Sequence, residues 1–267
     1  MTVKDKILQG RTYLGIELGS TRIKAVLIDD SFSVIASGSK QRENRFENGC
    51  WTYSLDDIHG GIQACYKDLA ENVKAQYGIY PETYGAMGIS AMMHGYMAFD
   101  KNDKLLVPFR TWRNTMTAQA AGELTKLLGF NIPQRWSIAH LYQAVLNKEA
   151  HVPYIAYINT LAGYVHKRLT DRFEVGVGEA SGIFPVEGIG YKKEYLELTE
   201  KSLAEKGFDH KLKDILPAVR NAGEKGAVLT EEGARLLDPE GRLKAGVPVC
   251  PPEGDAGTGM VATDSVM

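Results

Sequence analysis

The sequence predicts an α/β fold built on a mixed β-sheet, and three features near its start lead there. Tyr13, Leu14, Ile16 and Leu18 run up to a tight Gly19-Ser20-Thr21 turn, and Ile23, Ala25, Val26, Leu27 and Ile28 run away from it. Apolar and β-branched enrichment on both sides of a glycine turn predicts two antiparallel strands. An amphipathic helix comes next, with Ile58, Ile62, Cys65, Leu69 and Val73 at steps of three and four, the spacing that puts apolar side chains on one helical face. The apolar run from Gly85 to Ser90 then returns to the sheet. A strand reached through a crossover helix lies parallel to an earlier one, so parallel and antiparallel neighbours share the sheet.

The remaining elements follow in order. Asp29, Asp30 and Ser31 form a turn before a third strand from Ser33 to Ser39, which completes a meander. Residues Asn44 to Tyr53 are polar and punctuated by glycine, and read as a loop. Ser54 or Asp56 caps the long helix, and Gly78 with Pro81 ends it. After the Gly85 to Ser90 strand, Tyr96 to Phe99 and Leu105 to Val107 predict a hairpin turning at Lys101 to Lys104. Helices are expected from Thr115 to Leu128, Ser137 to Lys148 and Leu161 to Leu169, with a strand from Tyr154 to Ile158 before the last of these. Glu179 to Gly182 reads as a turn, Lys193 to Lys206 and Glu231 to Leu237 as weaker helices, and Val247 to Pro251 as a short strand. Glu253 to Met260 then begins like a helix, with Asp255 near its cap. No internal repeat or low-complexity linker divides the chain, which reads as one continuous domain after a polar extension of residues 1–12.

The 267 residues are 44% hydrophobic and 24% charged, enough for a sizeable core. Net charge is −2 and the pI about 6.3, so no basic footprint points to nucleic acid or to a membrane surface. A small-molecule partner is expected. The opening segment lacks the apolar run of a signal peptide and no apolar stretch is long enough to span a bilayer, which predicts a cytoplasmic protein. Cys50, Cys65 and Cys250 are odd in number and widely spaced, which argues against a disulfide framework or a zinc site. Walker A, HExxH, dinucleotide and serine-elbow motifs are missing. Oligomeric state stays open, a homodimer included.

The Gly19 turn is the first chemical signal. Gly19 permits positive φ or a close backbone approach, Ser20 and Thr21 add hydroxyls to a row of free N–H groups, and such a turn can hold a phosphate. Glu17 stands two residues earlier, where a carboxylate could hold the magnesium that accompanies nucleotide phosphates. A plain hairpin with a solvated glutamate fits the same stretch. The second signal is the aromatic and cationic segment Pro108 to Asn114, too polar for pure core.

Three stretches in order resemble the amino-terminal half of the FGGY carbohydrate kinases, within the actin-like ATPase superfamily. Gly15-Ile16-Glu17-Leu18-Gly19-Ser20-Thr21 with Lys24 is similar to that family's phosphate hairpin, Gly-x-Asp-x-Gly-Thr-x followed by a lysine or arginine. Ile89-Ser90-Ala91-Met92-Met93-His94-Gly95 resembles the Ser-Gly-Gln-Met-His-Gly segment of the xylulose kinase branch. Gly254-Asp255-Ala256-Gly257 resembles the Gly-Gly-Asp-Asn-Ala-Ala segment that bears the catalytic base. Trp112-Arg113-Asn114 partly keeps the Trp-Asn-Asp-x-Arg segment that bears on the sugar.

The resemblance implies a ribonuclease-H-like domain from residue 13 to 267, with a mixed five-stranded sheet and helices on both faces. That domain binds the sugar, and a second domain carrying most of the adenine site lies outside these residues. Phosphoryl transfer asks the protein mainly for positioning, charge neutralisation and a carboxylate to take the hydroxyl proton. Under the resemblance Asp255 is that base, where its residue-level alternative is a helix cap. Gly19, Ser20 and Thr21 cradle the phosphate, Glu17 stands where the family has aspartate and serves Mg2+ through water, and ATP is the donor. Met93, His94, Trp112, Arg113 and Asn114 face the sugar, with core packing as the alternative for Met93, His94 and Trp112 and ordinary surface for Arg113 and Asn114. The substrate expected is a ketopentose of xylulose or ribulose type. A non-catalytic sugar-binding or regulatory descendant of a kinase is the rival, motivated by Glu17 and by Ala91 and Met92.

Overall fold

A computed structural model of the chain describes residues 1–224 and 226–265. The chain opens with α1 (Val3–Leu8) and the meander β1 (Thr12–Leu18), β2 (Arg22–Asp29) and β3 (Val34–Gln41). A ribbon of β4 (Arg45–Glu47) and β5 (Cys50–Thr52) leads into α2 (Leu55–Tyr77) and β6 (Ala86–Ala91). Next come β7 (Met97–Phe99), α3 (Ala118–Leu128), α4 (Ser137–Leu146), β8 (Tyr157–Asn159) and α5 (Leu161–Thr170). They are followed by β9 (Glu174–Gly176), α6 (Val177–Ala180), α7 (Lys193–Glu205), α8 (Leu212–Ile215) and β10 (Ala218–Arg220). The chain returns to the sheet through β11 (Ala227–Val228), α9 (Glu231–Leu237), β12 (Pro248–Val249), β13 (Glu253–Gly254) and α10 (Asp255–Ala262).

The main sheet has the order β11-β12-β6-β1-β2-β3, with β13 also paired to β6. It is mixed, as expected: β1–β2, β2–β3 and β11–β12 are antiparallel, while β6 lies parallel to β1, β12 and β13. Its seven strands exceed the expected five because β11 and β13 each add two residues, too short to leave an alternating pattern.

Strand alternation gives the sheet a dry face and a wet one. Leu14, Ile16, Leu18, Ile23, Ala25, Leu27, Met87, Ile89 and Ala91 all point into the core. Core residues of α2, α5 and α9 meet them there, and truncating one such Leu or Ile to alanine costs about 2–5 kcal/mol. The main helix approaches closely because Gly38 leaves room: a Cβ there would lie 2.5 Å from the Cys65 carbonyl oxygen. Ser54, not Asp56, caps α2, in a reciprocal box with Asp57, and Gly78 ends it at φ 75°. On the wet face, α10 is the helix that docks, with the Thr258 and Ser90 hydroxyls 3.0 Å apart.

A second core, separate from the first, joins α3, α4, β8, α6 and α7 around Tyr96, Tyr142, Phe184 and Phe208. The hairpin turn forms as expected but with little ladder: Phe99 bridges Leu105 and the Leu106 N–H donates to the Ala98 carbonyl at 2.8 Å, while the longer pairing of β7 is with β8, which starts at Tyr157 rather than Tyr154. The supposed loop at 44–53 contains the β4–β5 ribbon, and the turn at Glu179 is the end of α6. The polar opening segment packs as α1, with Ile7 in the core and Lys6 bridging Asp29 and Asp30. Among the described residues, no helix is long and apolar enough to cross a membrane.

Candidate functional site

The β1–β2 turn is fastened from two sides. The Trp112 indole N–H donates to Ser20 Oγ at 3.1 Å, and the Tyr53 hydroxyl donates to the Ser20 carbonyl at 2.7 Å. The Thr21 carbonyl accepts the Arg42 N–H at 2.9 Å. Gly19 is required for proximity rather than for positive φ: a Cβ would stand 3.0 Å from the Arg22 carbonyl oxygen and 3.3 Å from Glu17 Oε1.

Trp112 sits under a cation. The Arg113 guanidinium lies 4.8 Å from the Trp112 ring centre and 5.6 Å from Trp51, within the range of cation–π attraction. Asn114 is buried and its amide is fully engaged with the loop. Its oxygen accepts the Trp51 N–H at 2.9 Å, and its NH2 donates to the carbonyls of Trp51 and Thr111 at 2.8 and 3.0 Å. The side chain therefore ties the Trp112 loop to the β4–β5 ribbon.

His94 and Gly95 make the turn that leaves β6. His94 holds φ 68° and Gly95 φ 89°, and a Cβ on Gly95 would fall 2.7 Å from the Arg110 carbonyl oxygen. The left-handed histidine costs about 1–2 kcal/mol, strain of the kind found at functional sites. Burial pushes its pKa down, so the ring is held neutral. Its Nδ1 is buried without a hydrogen-bond partner among the described residues.

Asp255 reaches this segment through the sheet. Parallel pairing of β13 with β6 sets Gly254 beside Ala91, and the Asp255 carboxylate accepts the Met93 N–H at 3.2 Å. The expected cap role is corrected: Gly254 is the N-cap, with no side-chain cap bond among the described residues, and Asp255 is the first helical residue. The same registers align Lys24, Glu17, Ser90 and Glu253 across four strands, one row on the wet face. Lys24 Nζ is 3.5 Å from Glu17 Oε2.

Glu17 and Asp255 both line a cavity of about 590 Å³ with Lys24, Ser90, Glu253 and Thr258. Met93, His94, Trp112, Arg113 and the Gly19 turn do not line it. Asp255 is thus the member of the set that reaches both the cavity and the Met93–His94 segment. Among the described residues, no group of three or more His, Cys, Asp or Glu side chains gathers as a metal cage. A half-buried carboxylate beside an open cavity suits an ion that brings its own waters and phosphates, the usual habit of magnesium.

Residues that reasoning from the sequence missed surround this set. Tyr53 and Trp51 fell within the supposed loop, although aromatic residues at alternate positions were a strand signal. Arg42 stacks on the Tyr53 ring, 3.5 Å from its centre. Glu253 and Glu179 carried no motif at all.

Residues 12–262 match the family model described as "FGGY family of carbohydrate kinases, N-terminal domain". A xylulose kinase from Haemophilus influenzae is 25% identical over 239 residues, which cover 84% of this chain and 47% of that protein. The chain therefore spans less than half the length of that curated relative. Among solved structures, a kinase titled "xyloylose kinase" from Brucella ovis superposes with a TM-score of 0.72 at 22% identity, covering 92% of this chain and 49% of its own. Glycerol kinase from Plasmodium falciparum gives 0.71 at 15% identity, with coverages of 95% and 50%. These structural likenesses carry the fold.

Proposed function

Because the chain belongs to the FGGY family of carbohydrate kinases, we propose that it is the sugar-binding half of an enzyme that phosphorylates a terminal hydroxyl of a ketopentose, of xylulose or ribulose type. The observation that carries this reading is the Asp255 carboxylate bonded to the Met93 N–H, beside His94. A base must stand within hydrogen-bond reach of the hydroxyl it deprotonates, and this arrangement sets it against the segment that would hold the sugar.

In this reading His94 orients the sugar as a neutral imidazole, with Met93 lining the pocket. Trp112 offers an aromatic face to the apolar side of the sugar ring, Arg113 contacts hydroxyls, and Asn114 holds their loop in place. The Gly19 to Thr21 turn cradles the transferred phosphate of ATP, and Trp112 links it to the sugar platform through Ser20. Glu17 is the residue that would hold Mg2+, through water. When bound, the ion neutralises phosphate charge. The protein works in the cytoplasm, and a second domain that carries the adenine site completes the enzyme. The 267 residues alone bind sugar weakly and do not turn over.

The test is a panel of pentoses, hexoses and polyols assayed for ADP release, with this chain alone and joined to the nucleotide-binding half. Ketopentoses should lead. A polyol or aldose far ahead of every ketopentose sinks the substrate assignment, and turnover by the 267 residues alone sinks the need for a second domain. Pentose binding by calorimetry without sugar-dependent ADP release would favour a non-catalytic sugar-binding or regulatory protein instead.

A further inference from the structure

Behind the Asp255 carboxylate lies a second one, wholly buried. Glu179, on α6, is 0% exposed, and neither carboxylate oxygen has a hydrogen-bond partner among the described residues. Its N–H donates to Glu253 Oε2 at 2.9 Å, which fastens α6 to the strand leading into Asp255. Its own Oε2 lies 2.9 Å from the point where a Cβ on Gly254 would stand, and Met93 Sδ lies 2.8 Å from that point. One turn on, the Gly182 N–H donates to the Glu179 carbonyl at 3.0 Å. A Cβ on Gly182 would stand 2.6 Å from His94 Nδ1. The short α6 therefore backs both the strand that carries the base and the neutral histidine.

We propose that Glu179 is a positioning residue for Asp255: as an uncharged acid it packs behind the Gly254–Asp255 link and Met93, and on ionising it displaces that link and breaks the hydrogen bond between Asp255 and Met93. An ionised carboxylate with no nearby donor but the Thr160 hydroxyl is too costly to keep in a dry site. It must turn toward water, and the groups packed on it must move.

The surroundings favour the uncharged form. Burial first, then the charges of Glu253 and Asp255, push its pKa up to about 8, opposed by the Thr160 hydroxyl. The Tyr191 hydroxyl is also buried without a partner among the described residues, and the Glu179 charge adds to the burial that raises it. His94 is held neutral. On β9 and β10, Glu174 and Arg220 pair with each other at 3.0 Å. The step is the loss of one proton from Glu179 to solvent.

Its effect on catalysis rests on the kinase reading; its effect on Met93 does not. The experiment follows the 13Cδ shift of Glu179 and the 15N shift of Met93 from pH 6 to 9.5, in the chain and in Glu179→Gln. The two shifts should move together, with a midpoint near 8, and Met93 should stay still in the glutamine variant. Sugar-dependent ADP release by the chain joined to its nucleotide-binding half should fall about tenfold per pH unit above that midpoint, and the variant should lose this alkaline limb. If the variant does not fold, a shared midpoint in the unsubstituted chain still supports the proposal. A Met93 shift that stays flat while Glu179 titrates overturns it, as does an alkaline limb that survives in Glu179→Gln. If no sugar releases ADP from the unsubstituted protein, the kinase reading fails and the Met93 titration alone decides.

Discussion

Trp112 donates its indole N–H to the Ser20 hydroxyl across 3.1 Å, joining the proposed sugar platform to the proposed phosphate turn. A ring held there in the right plane presents the Ser20 oxygen in one orientation. Replacing Trp112 by Phe keeps an aromatic face and removes this donor. One neutral hydrogen bond is worth about 1 kcal/mol, so kcat/KM for the sugar should fall by about fivefold. Steady-state kinetics of the chain joined to a nucleotide-binding half measure it, and an unchanged value would separate the ring from the turn.

Asp255→Asn keeps an oxygen that accepts the Met93 N–H but removes the proposed proton acceptor. Since Gly254 rather than Asp255 caps α10, the melting temperature should hold. Sugar-dependent ADP release should drop by about 10²–10⁴-fold, the range of a general base. A variant that keeps its rate removes Asp255 from the chemistry.

Gly254→Ala introduces a methyl group into space held by Met93 and by Glu179 Oε2. Overpacking of this kind costs about 1–3 kcal/mol. The denaturant midpoint should fall accordingly, with the ADP-release rate reduced as well because Asp255 is next in the chain. An unaltered midpoint would show that Met93 yields freely.

Acid should destabilise the chain through its histidines. His140 is pushed down to about 3 by burial, then by the Arg110 charge, and His166 is also pushed down, chiefly by burial and against the charge of Glu174. Their folded pKa values lie below the unfolded 6.5, so as pH falls below 6.5 the unfolded state takes up protons that the native state refuses. Stability is complete above that value and declines toward pH 4, by up to about 1.4 kcal/mol per pH unit for each group. Melting curves at pH 7, 6, 5 and 4 give the slope. Replacing His140 by Leu should flatten it, and an unchanged slope would move the effect elsewhere.

Local features were legible in the sequence and long-range ones much less so. Ser54 with Asp57 and the terminal Gly78 announce α2 because a cap is a contact between residues three apart. The strands flanking Gly19 announce themselves by composition. By contrast, β13 has two residues, and its pairing with β6 depends on everything between them. The row of Lys24, Glu17, Ser90 and Glu253 is a product of register, which no single stretch encodes. Asp255 and His94 entered through their motifs. Glu179 had no motif, and its burial depends on α6 packing against β13. Trp51 and Tyr53 were obscured by the glycine and polar residues around them, which resemble a loop until the ribbon pairs.

The bond from Met93 to Asp255 spans 162 positions of the chain. Contacts of such separation form late, since the loop they close must be ordered first. A chain folding as it leaves the ribosome can therefore shape its Gly19 turn and its histidine corner before Asp255 is in place. In that interval the segment proposed to hold the sugar is formed while the proposed base is not yet in place. The Met93–Asp255 contact is thus expected among the last the domain acquires as it folds, and among the first to go when the short β13 frays.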